Sequence, residues 1–235
     1  MDIAFYGDSL TDGYPGVSYF KLLKARFPDH TLINYGRFND TTISLHRRVI
    51  TRRLLRPVAL SIVWVGVNDV LVRESRLFSR LRRWWARDED EFRIHYRALL
   101  DLLTPHAQQV IALTPACANE QPESRPNAAL ARLGVIITDV SAAYPNVRVL
   151  DLHTAFTTAL ENERISSAVY RPPHLLQSLL DALLLRTPQA VDQAAAQRGL
   201  HLTLDGIHLN SAGAQIAADA IAAAIHAYEA ERASG

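Results

Sequence analysis

The chain has 235 residues, 49% of them hydrophobic, with a formal net charge of +1. That length and apolar content suffice for a full core without disulfide or metal staples, and one α/β domain is the simplest count. The near balance of charge argues against a nucleic-acid binder, whose affinity depends on surplus positive charge. Cys117 is the single cysteine, so neither an intrachain disulfide nor a Cys-based zinc centre is available; beside Pro115 and Ala116 it reads as a small buried thiol. No signal-peptide pattern precedes the first strand, and no apolar run approaches the ~20 residues of a membrane span. The expectation is a soluble, cytoplasmic protein.

Met1 to Tyr6 predicts a first strand that runs directly into Gly7-Asp8-Ser9. A serine between a buried strand and the next helix lies where an open α/β sheet presents reactive groups. Ser9 is therefore a candidate nucleophile, although Gly and Asp beside Ser are also ordinary turn residues. Val17, Phe20, Leu23 and Phe27 recur at helical spacing, and Pro28 closes that helix. Thr31 to Tyr35 is a second strand, followed by the polar loop from Gly36 to Thr42. The next helix places Leu45, Val49, Ile50 and Leu54 inward, leaving Arg47, Arg48, Arg52, Arg53 and Arg56 on a solvated face.

Val58 to Val65 is nearly all apolar, as a strand buried on both faces should be, and it ends in the turn Gly66-Val67-Asn68-Asp69. Leu77, Leu81, Trp84 and Trp85 suggest a short helix, with the tryptophans assigned to the core rather than to a pocket. Asp88 with Glu91 forms a variant capping box for a helix carrying Phe92, Tyr96, Leu99, Leu100 and Leu103. Val110 to Thr114 and Val147 to Leu152 are strands four and five. The helix between them, 126–143, turns Leu130, Leu133, Ile137 and Val140 to one face. This alternation of strand and helix predicts a parallel, doubly wound sheet.

Residues 161–199 break the alternation and read as a helical insertion. Pro172-Pro173 opens a helix with Leu175, Leu176, Leu179, Leu180, Leu183 and Leu184. Thr187-Pro188 caps another, which Gly199 ends. Covering the site, forming a dimer contact and packing over a sheet edge are all open for this pair. The last helix, from Ser211, sets Ile216, Ala220, Ala224 and Tyr228 along one face.

Just before that helix lies Leu204-Asp205-Gly206-Ile207-His208-Leu209-Asn210. An aspartate three residues before a histidine can fold back and accept from one imidazole nitrogen, leaving the other as a general base. Asn68 offers a neutral side-chain donor and the Gly36–Asn39 loop offers backbone N–H groups, which is what an oxyanion hole requires.

Gly7-Asp8-Ser9-Leu10, Gly66-Val67-Asn68-Asp69 and Asp205-Gly206-Ile207-His208, in this order and separation, resemble blocks of the GDSL, or SGNH, hydrolase superfamily of esterases and lipases. The resemblance implies a single-domain, flavodoxin-like α/β/α sandwich whose five parallel strands run in the order 2-1-3-4-5. It implies an acyl-enzyme on Ser9, with His208 as general base oriented by Asp205. The oxyanion hole would comprise the N–H of Ser9, a backbone N–H of the second loop and Asn68, with no metal or other cofactor. The second block departs from the family pattern. Asn34 and Asp40-Thr41 match, but Asn39 stands where the family has the glycine whose N–H donates to the oxyanion. A backbone N–H survives that change, and Asn tolerates left-handed backbone better than most residues, so Asn39 is expected to keep the role.

The reading is a carboxylic-ester hydrolase acting on a small-molecule ester, with acyl transfer to another alcohol as a variant. A non-catalytic binding module on the same fold is the alternative that Asn39 favours. A metal-dependent hydrolase using His201, Asp205 and His208 lacks a recognised ligand spacing, and a nucleotide or flavin site lacks a Gly-rich phosphate loop. Substrate identity and homo-oligomerisation are left open by the sequence.

Overall fold

The computed structural model describes residues 1–74, 84–161, 181 and 183–234. Strands β1 (Asp2–Gly7), β2 (Thr31–Gly36), β3 (Val58–Trp64), β4 (Ala107–Leu113) and β5 (Val147–Leu150) form one sheet. All four pairings are parallel, as the alternation of strand and helix predicts, and the order is β2-β1-β3-β4-β5, as the family resemblance implies. Helices α1 (Ser9–Asp12), α2 (Tyr19–Arg26), α3 (Thr42–Thr51), α4 (Val67–Glu74) and α5 (Glu89–Leu103) follow strands one to three. Later in the chain come α6 (Arg125–Ser141), α7 (Leu152–Glu161), α8 (Pro188–Gln197) and α9 (Ser211–Ala233). On one face α3, α5 and α6 pack side by side; on the other, α9 lies against α2 and α7.

The buried strand residues explain the three-layer arrangement. Leu60, Ile62, Val63 and Trp64 of β3 are all buried, so this strand needs helices over both faces. The inward residues of α5 (Phe92, Tyr96, Leu99, Leu100, Leu103) and of α6 (Leu130, Leu133, Ile137, Val140) are the ones their periodicity selects, and all are fully buried. At the start of α5 the Asp88 side chain accepts from Glu91 N–H. Glu91 reaches back one residue further than a capping box requires, to Arg87 N–H. Thr187 accepts from Ala190 N–H to cap α8, and Gly199 beyond its end takes a left-handed φ of 68°.

The register places the functional loops. Gly7 at the end of β1 lies opposite Gly36 on one side and Trp64 on the other. From β1 the chain crosses to β2 and then back to β3, so the loops after these three strands meet at a topological switch point, where open α/β sheets bind ligands.

Several expectations need correction. Ile50 is 52% exposed, whereas Arg48 of the same helix is partly buried; an internal ion pair outweighs the apolar periodicity there. Asn68 and Asp69 lie in the first turn of α4 rather than in a separate turn. On α9 the buried face is Ala214, Ala217, Ala218, Ile221, Ile225 and Tyr228, rotated from the one expected, because a run of alanines offers little hydrophobic contrast to set the phase. Trp84 and Trp85 are outside any helix, and Leu77 and Leu81 fall outside the described residues. So do Pro172, Pro173 and Leu175 to Leu180 of the insertion, while Leu183 and Leu184 are exposed. Among the described residues no helix is long and apolar enough to cross a membrane.

Candidate active site

The site begins where β1 and β2 end against α1. A Cβ on Gly7 would lie 2.2 Å from Thr11 Oγ1 and 2.5 Å from Trp64 O, and one on Gly36 would lie 2.2 Å from Asp12 N. Only glycine permits this approach. Asn34 fastens the junction, donating from Nδ2 to Thr11 O at 2.7 Å while its Oδ1 accepts from Gly36 N–H at 2.7 Å. Asp8 is the N-cap of α1, its Oδ1 accepting from Leu10 N–H at 3.0 Å. Ser9 is thereby held as the first helical residue, buried, at the carboxyl edge of the sheet.

His208 reaches Ser9 from the other end of the chain. Its Nε2 lies 3.1 Å from Ser9 Oγ and its Nδ1 2.7 Å from Asp205 Oδ2. Asp205 Oδ1 accepts from the N–H groups of His208 at 2.8 Å and Ile207 at 3.1 Å. Burial alone would raise the Asp205 pKa, but the His208 charge and these hydrogen bonds hold it below the usual carboxylate range. An ionised carboxylate only accepts, so Nδ1 carries the proton and Nε2 is left to accept from the serine hydroxyl. Burial by itself would lower the His208 pKa; the Asp205 carboxylate, with smaller contributions from Asp8 and Asp181, raises it above 6.5 instead. This arrangement can deprotonate a serine as it attacks.

The loop that carries Asp205 and His208 is pinned by Glu120, a buried residue that no local sequence signal singles out. Glu120 Oε1 accepts from the N–H groups of Leu202 and Thr203 and from Thr203 Oγ1, and its Oε2 accepts from His201 N–H, all within 2.8 Å. Charge-assisted bonds of this kind are roughly twice as strong as neutral ones. Beyond His208, Asn210 caps α9 by accepting from Gly213 N–H at 3.0 Å.

Of the other expected oxyanion donors, Asn68 sits in the first turn of α4 and Asn39 in the turn after β2. Asn68 Nδ2 donates to Asp40 O at 3.0 Å and, less closely, to Asp8 Oδ2 at 3.3 Å. Asn39 adopts φ 66°, the left-handed conformation that glycine favours and Asn tolerates. Its neighbour Asp40 is fixed by Arg48, whose Nε lies 2.6 Å from Asp40 Oδ2 and whose Nη2 donates to Tyr35 O at 2.6 Å. Asp69 ties the third block to the second, accepting from Thr42 N–H and Oγ1 through Oδ2 and from Ala86 N–H through Oδ1. Burial pushes Asp69 above the usual range and takes Asp8 up to about 7. Both carboxylates brace the loops, and of the two only Asp8 acts on His208, whose protonated form it favours when ionised.

Other candidates separate from this cluster. Burial pushes the Cys117 thiol pKa up, away from a reactive thiolate. Trp84, 41% exposed, and Trp85 line an open cleft of about 420 Å³ with His46, Arg47 and His95, contrary to the core assignment. The Arg47 guanidinium lies 3.7 Å over the Trp84 ring, and this cation–π contact keeps an indole at the surface. Phe38, 47% exposed, stands beside His208 with its ring only 12° from parallel to the imidazole at 6.3 Å.

The profile of the GDSL-like Lipase/Acylhydrolase family matches residues 5–216, a span that takes in Ser9, Asn68, Asp205 and His208. A search of curated proteins finds no match. Among solved structures, the acetyl xylan esterase AlAXEase aligns with a TM-score of 0.67 at 20% identity, over 96% of this chain and 100% of its own. LAE5, an alpha/beta hydrolase enzyme from the metagenome of Lake Arreo, Spain, gives 0.67 at 22% identity, over 95% and 94%. A catalytic mutant of an acetylxylan esterase from Geobacillus stearothermophilus gives 0.64 at 17% identity, over 94% and 91%. At these identities the structural likeness is one of fold; with a family profile that spans most of its length, the chain belongs to the GDSL-like lipase/acylhydrolase family.

Proposed function

We propose that this protein hydrolyses carboxylic esters through an acyl-enzyme on Ser9. The observation that carries the reading is the continuous chain Ser9 Oγ–His208–Asp205, with contacts of 3.1 and 2.7 Å. Ser9 Oγ attacks the ester carbonyl carbon as His208 Nε2 takes its proton, and Asp205 stabilises the imidazolium. The carbonyl oxygen, now an oxyanion, is met by the N–H groups of Ser9 and Asn39 and by Asn68 Nδ2. The longer Asn68 bond, to Asp8, is the one exchanged for the oxyanion. His208 returns the proton to the departing alcohol, and a water repeats the sequence to release the acid and free Ser9.

Acetylated carbohydrate is the substrate class proposed. Two of the similar structures named above are acetyl xylan esterases that match this chain along nearly its whole length. Among further structures of the Geobacillus stearothermophilus enzyme, the replacement of an aspartate or of a histidine is also described as a catalytic mutant. The deciding experiment is hydrolysis of p-nitrophenyl acetate, butyrate and octanoate and of acetylated xylo-oligosaccharide, with Ser9→Ala as control. Turnover that vanishes in the variant, with acetate favoured and wild-type protein labelled by a fluorophosphonate, supports the reading. Turnover that survives Ser9→Ala removes Ser9 as nucleophile.

A further inference from the structure

The segment that carries Asp205 and His208 folds back on itself. Thr203 pairs antiparallel with Leu209, Leu204 N–H donates to His208 O at 2.6 Å, and Asn210 N–H donates to Leu202 O at 3.1 Å. Gly206 lies in the turn between the two reactive side chains, with φ 85°. Both polar groups of its backbone lead to two consecutive residues of the loop after β4. Asn119 N–H donates to Gly206 O at 2.5 Å. Gly206 N–H donates to Thr203 Oγ1 at 3.1 Å, and that hydroxyl donates in turn to Glu120 Oε1 at 2.7 Å. The N–H groups of His201, Leu202 and Thr203 also donate to the Glu120 side chain, so its four bonds all come from donors, as an acceptor-only carboxylate requires. Asn119 makes its bond from a left-handed backbone of φ 69°, and its Oδ1 secures that conformation by accepting from Gln121 N–H and Ser124 Oγ at 3.0 Å each. Non-glycine residues held in this region cluster at functional sites.

We infer that Glu120 is a positioning residue for catalysis, acting through Thr203 and Gly206 to aim the Asp205–His208 turn at Ser9. The inference rests on the esterase reading and deepens it. Asp205 Oδ1 takes its bearings from the backbone N–H groups of Ile207 and His208, so a tilt of that backbone carries both side chains with it. The contact at stake is the 3.1 Å between His208 Nε2 and Ser9 Oγ. A misplacement of about 1 Å at such a contact can cost ~100-fold in rate. An apolar side chain could fill the space under the turn, but only directed bonds from a fixed carboxylate set its orientation. Asn119 holds the opposite side of the Gly206 backbone against the same loop.

The test compares Glu120→Ala, Glu120→Gln and Thr203→Val with the wild type on p-nitrophenyl acetate, with active sites counted by fluorophosphonate titration run to completion. Ala removes all four bonds, and Gln keeps an oxygen at the Oε1 position and gives up the bond from His201. Val removes the hydroxyl that links Glu120 to Gly206 and leaves the three backbone bonds of Glu120 in place. The expected result is a fall of ~100-fold in kcat per titrated site for Glu120→Ala and ~10-fold for Thr203→Val. Glu120→Gln should recover most of the loss, and KM should stay within about threefold throughout. A reduced number of titrated sites, each with wild-type kcat, would assign Glu120 to stability alone and overturn the inference. Wild-type kcat in Thr203→Val would overturn it as well, and that variant decides alone if Glu120→Ala does not fold. Wild-type protein that neither turns over p-nitrophenyl acetate nor takes the fluorophosphonate defeats the esterase reading and the inference with it, a different result from labelled protein indifferent to Glu120 and Thr203.

Discussion

Asp205→Asn changes a single atom of the site, and the surrounding donors dictate where that atom goes. Asp205 Oδ1 accepts two backbone N–H groups, from His208 and Ile207, so an NH₂ cannot occupy that position without facing two donors. The amide nitrogen must take the Oδ2 position, 2.7 Å from His208 Nδ1. Nδ1 then becomes an acceptor, its proton moves to Nε2, and Nε2–H faces Ser9 Oγ. In that tautomer the imidazole cannot receive the serine proton. Where the equivalent carboxylate of a serine hydrolase is neutralised in this way, kcat falls by about 10⁴, equivalent to roughly 5.4 kcal/mol of transition-state stabilisation. The same fall is expected here, measured as kcat on p-nitrophenyl acetate and as the second-order rate of fluorophosphonate labelling. Because Oδ1 keeps its two donors, the thermal unfolding curve should stay close to wild type. A folded variant whose kcat falls less than about tenfold would refute the argument that the hydrogen bond sets the tautomer.

The pH dependence has a definite sign. His208 must be neutral to accept the serine proton and its pKa is raised above 6.5, so kcat/KM should climb with pH to a midpoint above that value. The Asp8 anion helps hold the His208 proton, so Asp8→Asn should move the midpoint to lower pH; a profile that is flat between about pH 5 and 8, or a shift upward, contradicts this. Arg48→Met strips the partner from Asp40 in a pair whose side chains are 10% and 6% exposed. Breaking a buried pair from one side costs about 3–5 kcal/mol, or roughly 6–20 °C in melting temperature at about 2–4 °C per kcal/mol for a domain of this size. A fall below about 2 °C would show that the pair contributes little.

The sheet and the side chains of the Ser9–His208–Asp205 cluster are legible in the sequence because their signals are local. Apolar runs alternating with helical periodicity specify a parallel sheet whatever the distant residues are. An Asp three positions before His208 folds back through backbone donors that lie within the same short loop. Gly7 and Gly36 stand where two backbones approach too closely for any Cβ. The parts that escaped the sequence act across large separations. Glu120 holds residues 201–203 from 81 to 83 positions away, Arg48 leaves a face of solvated arginines to reach Asp40 and Tyr35, and Asp181 meets Arg198 from before the start of α8. A carboxylate or guanidinium reads as surface in any local window. Only the folded chain decides which of them is removed from water, and therefore which must find a partner.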